Sequence, residues 1–180
     1  AAMSDFFKSV GCESSTNAYS VKGSTPFIDA LFATRYGIYP DQQPADGLKE
    51  QIGRQGSMWF YENKYTLPVG FVMPQDMETN WVLDSGNPAN VQNDLSSVLG
   101  VSNLLVPAEG VSEGKKLTFT ADASGDYYVY VTNKKVEEVS AEIGERSLSF
   151  DNVDRGYFLE LGYLPKGQEV ILQSQTDGNP

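Results

Sequence analysis

From Lys115 onward the chain reads as one short strand after another, and that rhythm limits the fold more than any other feature. KLTFTAD (116–122) places Leu117 and Phe119 on one face, and DYYVYVT (126–132) places Tyr127, Val129 and Val131 on one face with Tyr128 and Tyr130 on the other. KVEEVSAEI (135–143), RSLSF (146–150), GYFLELGYL (156–164) and QEVILQS (168–174) continue the pattern. Turn residues separate most of them: Ala123-Ser124-Gly125, Gly144-Glu145 and Pro165-Lys166-Gly167. Six short strands at this interval predict an antiparallel β-sandwich of the jelly-roll or carbohydrate-binding-module kind.

Upstream the texture changes. Thr25 offers a side-chain oxygen to a helix N-terminus and Pro26 suits the first helical position, so a short helix is expected there, with Phe27, Ile28, Leu31 and Phe32 on one face. A strand follows at Tyr36 to Tyr39, ended by Pro40. Two more strands are expected at 57–61 and 65–72, joined near Glu62-Asn63, with Pro68 marking an edge or a bulge. Asn87-Pro88 repeats the helix-start logic, Val91, Leu95, Val98 and Leu99 form a buried stripe, and Gly100 terminates it. The fold class is therefore α+β, mainly β, with a mixed helix and strand region over 1–110 and an antiparallel sandwich over 111–176. The two regions could also close into one compact domain, since 180 residues suffice for one good core or two small ones.

Charge narrows the partners. With 24 acidic residues against 13 basic ones the formal charge is -11, which opposes nucleic acid and anionic headgroups. No stretch approaches the roughly 18 to 20 apolar residues that cross a bilayer, so a soluble fragment without direct membrane insertion is expected.

The sequence contains no histidine, so Ser-His-Asp and Cys-His nucleophile pairs and His-containing metal sites are excluded. The single cysteine, Cys12, can form no intrachain disulfide and no cysteine-rich metal cluster. Paired carboxylates remain open for glycoside hydrolysis, but Glu137 and Glu138, adjacent on an expected strand, would face apart. Asp122 and Asp126, like Asp151 and Asp154, fit ordinary turn chemistry better than a calcium loop. No catalytic residue, metal ligand or cofactor is expected.

Ligand-binding candidates are aromatic and amide side chains. Trp59 and Tyr61 share a face of their expected strand, Trp81 sits in a loop, and such rings either fill a core or stack on the C–H faces of sugars. Asn87, Gln92 and Asn93 cluster near a helix N-terminus, where they are a cap and a solvated face or a set of hydroxyl-binding amides. Arg35 is open to a structural ion pair or to a phosphate or carboxylate.

Three segments carry a resemblance: TPFIDALFATRYGIYP (25–40), YENKYTLPVGFVMP (61–74) and NPANVQNDLSSVLG (87–100). Leu31-Phe32-Ala33-Thr34-Arg35-Tyr36 stands where a helix runs into a Gly-Val-Lys-Tyr-like strand. Glu62-Asn63-Lys64-Tyr65-Thr66-Leu67-Pro68-Val69-Gly70-Phe71 matches an Asn-x-x-Ala-Leu-Pro-Leu-Gly-Phe-like run. Asn87-Pro88-Ala89-Asn90-Val91-Gln92-Asn93 matches an Asn-Pro-Phe-Glu-x-Gln-Asn-like helix start without its Phe-Glu pair, and Leu161-Gly162-Tyr163-Leu164 a later Leu-Gly-x-Leu-like turn. In order and spacing these resemble the outside-facing domain of the bacterial YfhO-like family, multi-pass membrane proteins held to glycosylate cell-envelope polymers from lipid-linked sugars. The resemblance implies an extracellular-face fragment of a bacterial cell-membrane protein, with the catalytic carboxylate elsewhere in the full-length protein. It implies as partners a cell-envelope glycan, such as lipoteichoic acid, or the transmembrane part of the same protein. The competing expectation is a structural or protein-interaction sandwich with no ligand.

Overall fold

A computed structural model describes residues 2–40, 42–43, 47–81, 83, 86–102 and 104–175. In chain order the elements are α1 (Ala2–Ser9), β1 (Ser14–Ser15), β2 (Ala18–Tyr19), α2 (Pro26–Leu31), β3 (Tyr36–Tyr39), β4 (Lys49–Gln55), β5 (Met58–Asn63), α3 (Met77–Asn80) and α4 (Pro88–Val98). Then come β6 (Gly110–Glu113), β7 (Lys116–Thr120), β8 (Gly125–Tyr130), β9 (Val139–Ile143), β10 (Arg146–Phe150), a 3-10 turn (Val153–Arg155), β11 (Phe158–Leu164) and β12 (Glu169–Ser174). Strand exceeds helix, 36% to 19%, so the fold is α+β, mainly β.

The chain divides into two compact units, one of residues 1–23 with 74–180 and one of residues 24–73. The change of texture near residue 110 falls inside the first unit, whose N-terminal and C-terminal parts pack together.

In that first unit an antiparallel sheet runs β10-β9-β12-β7-β6, and a second pairs β11 with β8. All six expected strands are present, and β6 adds a fully exposed edge strand whose Gly-Val-Ser-Glu sequence gave no alternation to read. Glu137 and Glu138 lie outside β9, correcting their expected placement on a strand: Val136 and Val139 are both buried, so the Glu-Glu step between them bulges through solvent instead of pleating. Both sheets feed one core, with Phe119, Ala141, Val170 and Leu172 from the larger and Leu159, Leu161 and Leu164 from the smaller. Each such fully buried aliphatic chain contributes about 1.5 to 3 kcal/mol over leaving it in water. Gly162 sits at φ +77 at the irregularity that shifts the β11–β8 register, a backbone state that L side chains resist.

The N-terminal segment is held to this sandwich by backbone and charge. The Phe158 amide donates to the Gly11 carbonyl at 2.8 Å. Gly23, at φ +84, runs so close that a Cβ there would lie 2.6 Å from Gly11 O and 2.9 Å from Phe158 O, so only glycine fits. Around it Arg155 pairs with Glu13 at 2.7 Å, Lys22 pairs with Asp151 at 2.8 Å and with Glu13 at 3.7 Å, and the Lys22 ammonium lies 4.4 Å over the Tyr157 ring.

The 24–73 unit is a three-stranded antiparallel sheet in the order β3-β5-β4, with α2. Thr25 caps α2 by accepting from the Ile28 amide, and Pro26 occupies its first turn, as the sequence predicts. Of the four apolar residues expected on one helical face, only Ile28 is buried, and Phe32 is exposed. β3 lies where expected. The strand expected at 65–72 is irregular chain instead; β5's partners are β3 and β4, and β4 is a polar strand, KEQIGRQ, whose composition hides it. Pro68 lacks an amide to donate, and the Leu67 amide is taken by the Ala30 carbonyl at 3.0 Å, so neither residue can donate to a ladder.

Candidate binding surface

Four of the residues singled out as ligand-binding lie in the first unit, and the structure spends each on the fold. Asn87 caps α4, its Oδ1 accepting from the Ala89 amide at 2.9 Å. Gln92 is fully buried and its Nε2 donates to the Val10 carbonyl at 2.6 Å, so it shows no surface to a ligand. Asn93 pins the chain after α4: Oδ1 accepts from the Leu104 and Leu105 amides at 3.0 and 2.9 Å, and Nδ2 donates to the Leu105 carbonyl at 2.7 Å. Trp81 donates Nε1–H to the Val91 carbonyl at 3.0 Å and sets its ring edge-on to Phe6. Backbone groups turned away from water need partners, and these side chains supply them, Asn87 and Asn93 by accepting from amides and Gln92, Asn93 and Trp81 by donating to carbonyls.

The other three lie in the 24–73 unit. Strand pairing fixes which side chains share a face, because residues directly opposite across an antiparallel ladder point the same way. On one face stand Trp59, Tyr61, Tyr39, Arg54 and Lys49. Tyr61 is buried, edge-on to Tyr39, with its hydroxyl accepting from the Gln43 amide at 3.0 Å. Trp59 is half-buried with the Arg54 guanidinium 4.4 Å over its ring, and the Lys49 ammonium lies 5.5 Å over Tyr39. Arg35 is exposed and paired with Glu62 at 2.8 Å, so the ion-pair alternative is the one observed. That pairing holds its guanidinium above its ordinary value. Trp59 and Tyr61 are thus together, while Arg35 binds at the register of the opposite face.

That opposite face was not anticipated. Tyr36 and Ile38 of β3 stand across from Glu62 and Phe60 of β5, with Met58 next along the strand. Tyr36, Ile38 and Met58 are 58%, 62% and 44% exposed. The readable signal is the alternation of Tyr36 and Ile38 with Gly37 and Tyr39, which predicts a strand but not which of its faces is covered. Beyond β5 the run from Tyr65 to Met73 carries no charge, and Val69 and Val72 are each 97% exposed.

Two further features bear on chemistry. A shallow cleft lined by Pro26, Leu48, Lys49, Asn63 and Tyr65 has about 30 Å³ of room, enough for a water and too small for a sugar ring. Beside it Asp29 is half-buried; desolvation raises its carboxyl above the ordinary value, against the Ser24 hydroxyl and the Lys49 charge. Asp122 is engaged by Tyr127, whose hydroxyl donates to its Oδ1 at 2.8 Å. Among the described residues no group of three or more Cys, Asp or Glu side chains is placed to hold a metal.

The profile of the family described as "Bacterial membrane protein YfhO" matches residues 1–111. The chain belongs to that family. The matched stretch takes in the whole 24–73 unit, α4 and the three segments that carried the resemblance, and it stops at β6. The sandwich strands β7 to β12, with Leu161-Gly162-Tyr163-Leu164, lie beyond the YfhO match. No curated protein and no solved structure matches the chain. Among the described residues no helix is long and apolar enough to cross a membrane.

Proposed function

We propose that this chain is the outward-facing domain of a YfhO-family protein that glycosylates envelope polymers of the lipoteichoic-acid type from lipid-linked sugars. The domain is noncatalytic by itself and orders the membrane-embedded part. The observation that carries this reading is one sheet face inside the family-matched stretch, where Tyr36, Ile38 and Met58 are exposed beside half-buried Phe60 and the Arg35 guanidinium lies 5.5 Å over the Tyr36 ring. A sheet face in water is normally polar, and exposed rings and aliphatic chains on one pleat mark a surface that another element completes. In the full-length protein, Ile38→Asp with Met58→Asp should lower transferase activity severalfold while the same changes leave this chain folded by circular dichroism. Unchanged activity would remove the ordering role. A cysteine introduced at Ser149 should react with a membrane-impermeant maleimide on intact cells, and labelling only after lysis would place the domain inside.

A second reading is supported by the other face, where Lys49 and Arg54 stand with Tyr39 and Trp59. An acidic protein needs a local basic patch to hold a polyanionic polymer, and this face supplies one. Titration with glycerol-phosphate oligomers should then shift the amide resonances of β4 and β5; silence at millimolar ligand ends the acceptor-binding version.

A further inference from the structure

We propose that the uncharged loop 65–73 seats in the outer leaflet of the bilayer, at the boundary between headgroups and acyl chains. The inference rests on the membrane-tethered reading above and adds the surface by which the domain meets lipid. Tyr-Thr-Leu-Pro-Val-Gly-Phe-Val-Met offers nine residues without a charge, so no ion has to be stripped of water on entry. Leu67, Pro68, Val69 and Gly70 are successively exposed, and Val69 and Val72, at 97%, touch almost nothing of their own protein. Side chains that stand this free form a convex tip. A tip is poorly matched to a packed protein face, whereas a bilayer interface closes around it, and each buried valine then gains from leaving water.

Charge points the same way. The 24–73 unit holds four basic and five acidic residues, while the rest of the chain holds nine basic and nineteen acidic ones. Repulsion from an anionic leaflet therefore acts on the other unit, and the nearly neutral one carries the apolar tip. Tyr65, 68% exposed where the loop leaves β5, has the amphipathic ring that favours the headgroup level. The loop is far too short to span, so the contact is interfacial and compatible with a chain that does not thread the membrane.

The test uses this 180-residue chain carrying Val69→Cys labelled with an environment-sensitive nitrobenzoxadiazole dye, with Ser149→Cys on β10 as control; the native Cys12 is buried, and the unsubstituted chain controls for its labelling. Phosphatidylcholine vesicles, alone and with phosphatidylglycerol, are added at millimolar lipid. The expected result is a blue shift at position 69 with both vesicles, insensitive to salt and absent at 149. Val72→Asp in the labelled chain should reduce partitioning by about tenfold, from loss of one buried apolar side chain and gain of a charge. Two results would overturn the proposal: no shift with either vesicle, or a shift confined to anionic vesicles and lost in salt. The assay contains no sugar and no transferase, so its failure leaves the ordering and acceptor readings standing, and their failure leaves it standing.

Discussion

The two compact units solve the burial problem in opposite ways. The sandwich closes on itself: residues of its two sheets and their connections enclose fully buried Leu159, Leu172, Val136 and Val139, and beside the N-terminal segment even the polar Gln92 is buried as a donor to Val10. The 24–73 unit, among its described residues, buries the apolar side chains of Ile28 and Tyr61 and leaves Tyr36, Ile38, Val69 and Val72 in water. A sheet of three strands with so little covered is marginal alone. The contrast gives one unit a closed core and leaves the other with apolar side chains in water.

The strongest way to break that contrast is to truncate one core residue in each unit. Leu172→Ala removes a side chain that both sheets enclose, and about 2 to 5 kcal/mol of unfolding free energy should go with it. Ile28→Ala has fewer buried neighbours to strand, and should cost less and loosen the 24–73 amides first in hydrogen exchange. Equal losses in urea unfolding, with uniform exchange, would mean the units share one cooperative core.

Next in size is Gln92→Ala. The Val10 carbonyl would lose its donor inside the protein, at a cost of about 1 to 3 kcal/mol in the same unfolding experiment. A loss below a few tenths would show that water reaches Val10.

Gln92 also shows where the sequence stops being readable. Its position on a helix near Asn90 and Asn93 reads as a solvated face, and nothing local announces that a carbonyl more than eighty residues away will need it. Features set by neighbours in sequence were legible: the Thr25-Pro26 and Asn87-Pro88 caps, the Tyr36 to Tyr39 strand, and six strands of the sandwich. Those set by distant partners were not. The polar β4 forms because β5 needs an edge partner, and the apolar 65–72 run fails to be a strand because Leu67 is claimed by α2. For the candidate surface, sequence supplied the residues of one face, Trp59 and Tyr61, but the exposed face could be told from the buried one only after the pairing register was known.

Smaller still is the effect of softening the exposed sheet face. Ile38→Thr keeps β-branching and removes an apolar group that water already surrounds, so stability should change by no more than about 0.5 kcal/mol. Binding of the dye ANS should fall nonetheless. A large loss of stability would show that Ile38 is covered in solution and that the contrast between units is overstated.

The smallest effect concerns the clasp between residues 13–23 and 151–157, and its signature is a pH window more than a magnitude. Hydrogen bonding and charge from Lys22 hold the Asp151 carboxyl below its ordinary value. Burial pulls Lys22 down, but its bonds to Asp151 and Tyr157, with Glu13 nearby, leave it above its ordinary 10.5. A carboxyl lowered on folding stabilises above its unfolded value and loses this as pH falls through its folded one; an amine raised on folding stabilises below its unfolded value and loses this as pH rises through its folded one. Asp151→Asn should therefore lower the melting temperature slightly across the neutral range, with the difference fading in acid below the carboxylate range and in alkali above the lysine range. Because Asp151 is largely exposed, added salt should shrink the difference as well. A difference that is flat from acid to alkali would mean the asparagine disturbs the turn and that Gly23, pressed against Gly11 and Phe158, holds the N-terminal segment without help from charge.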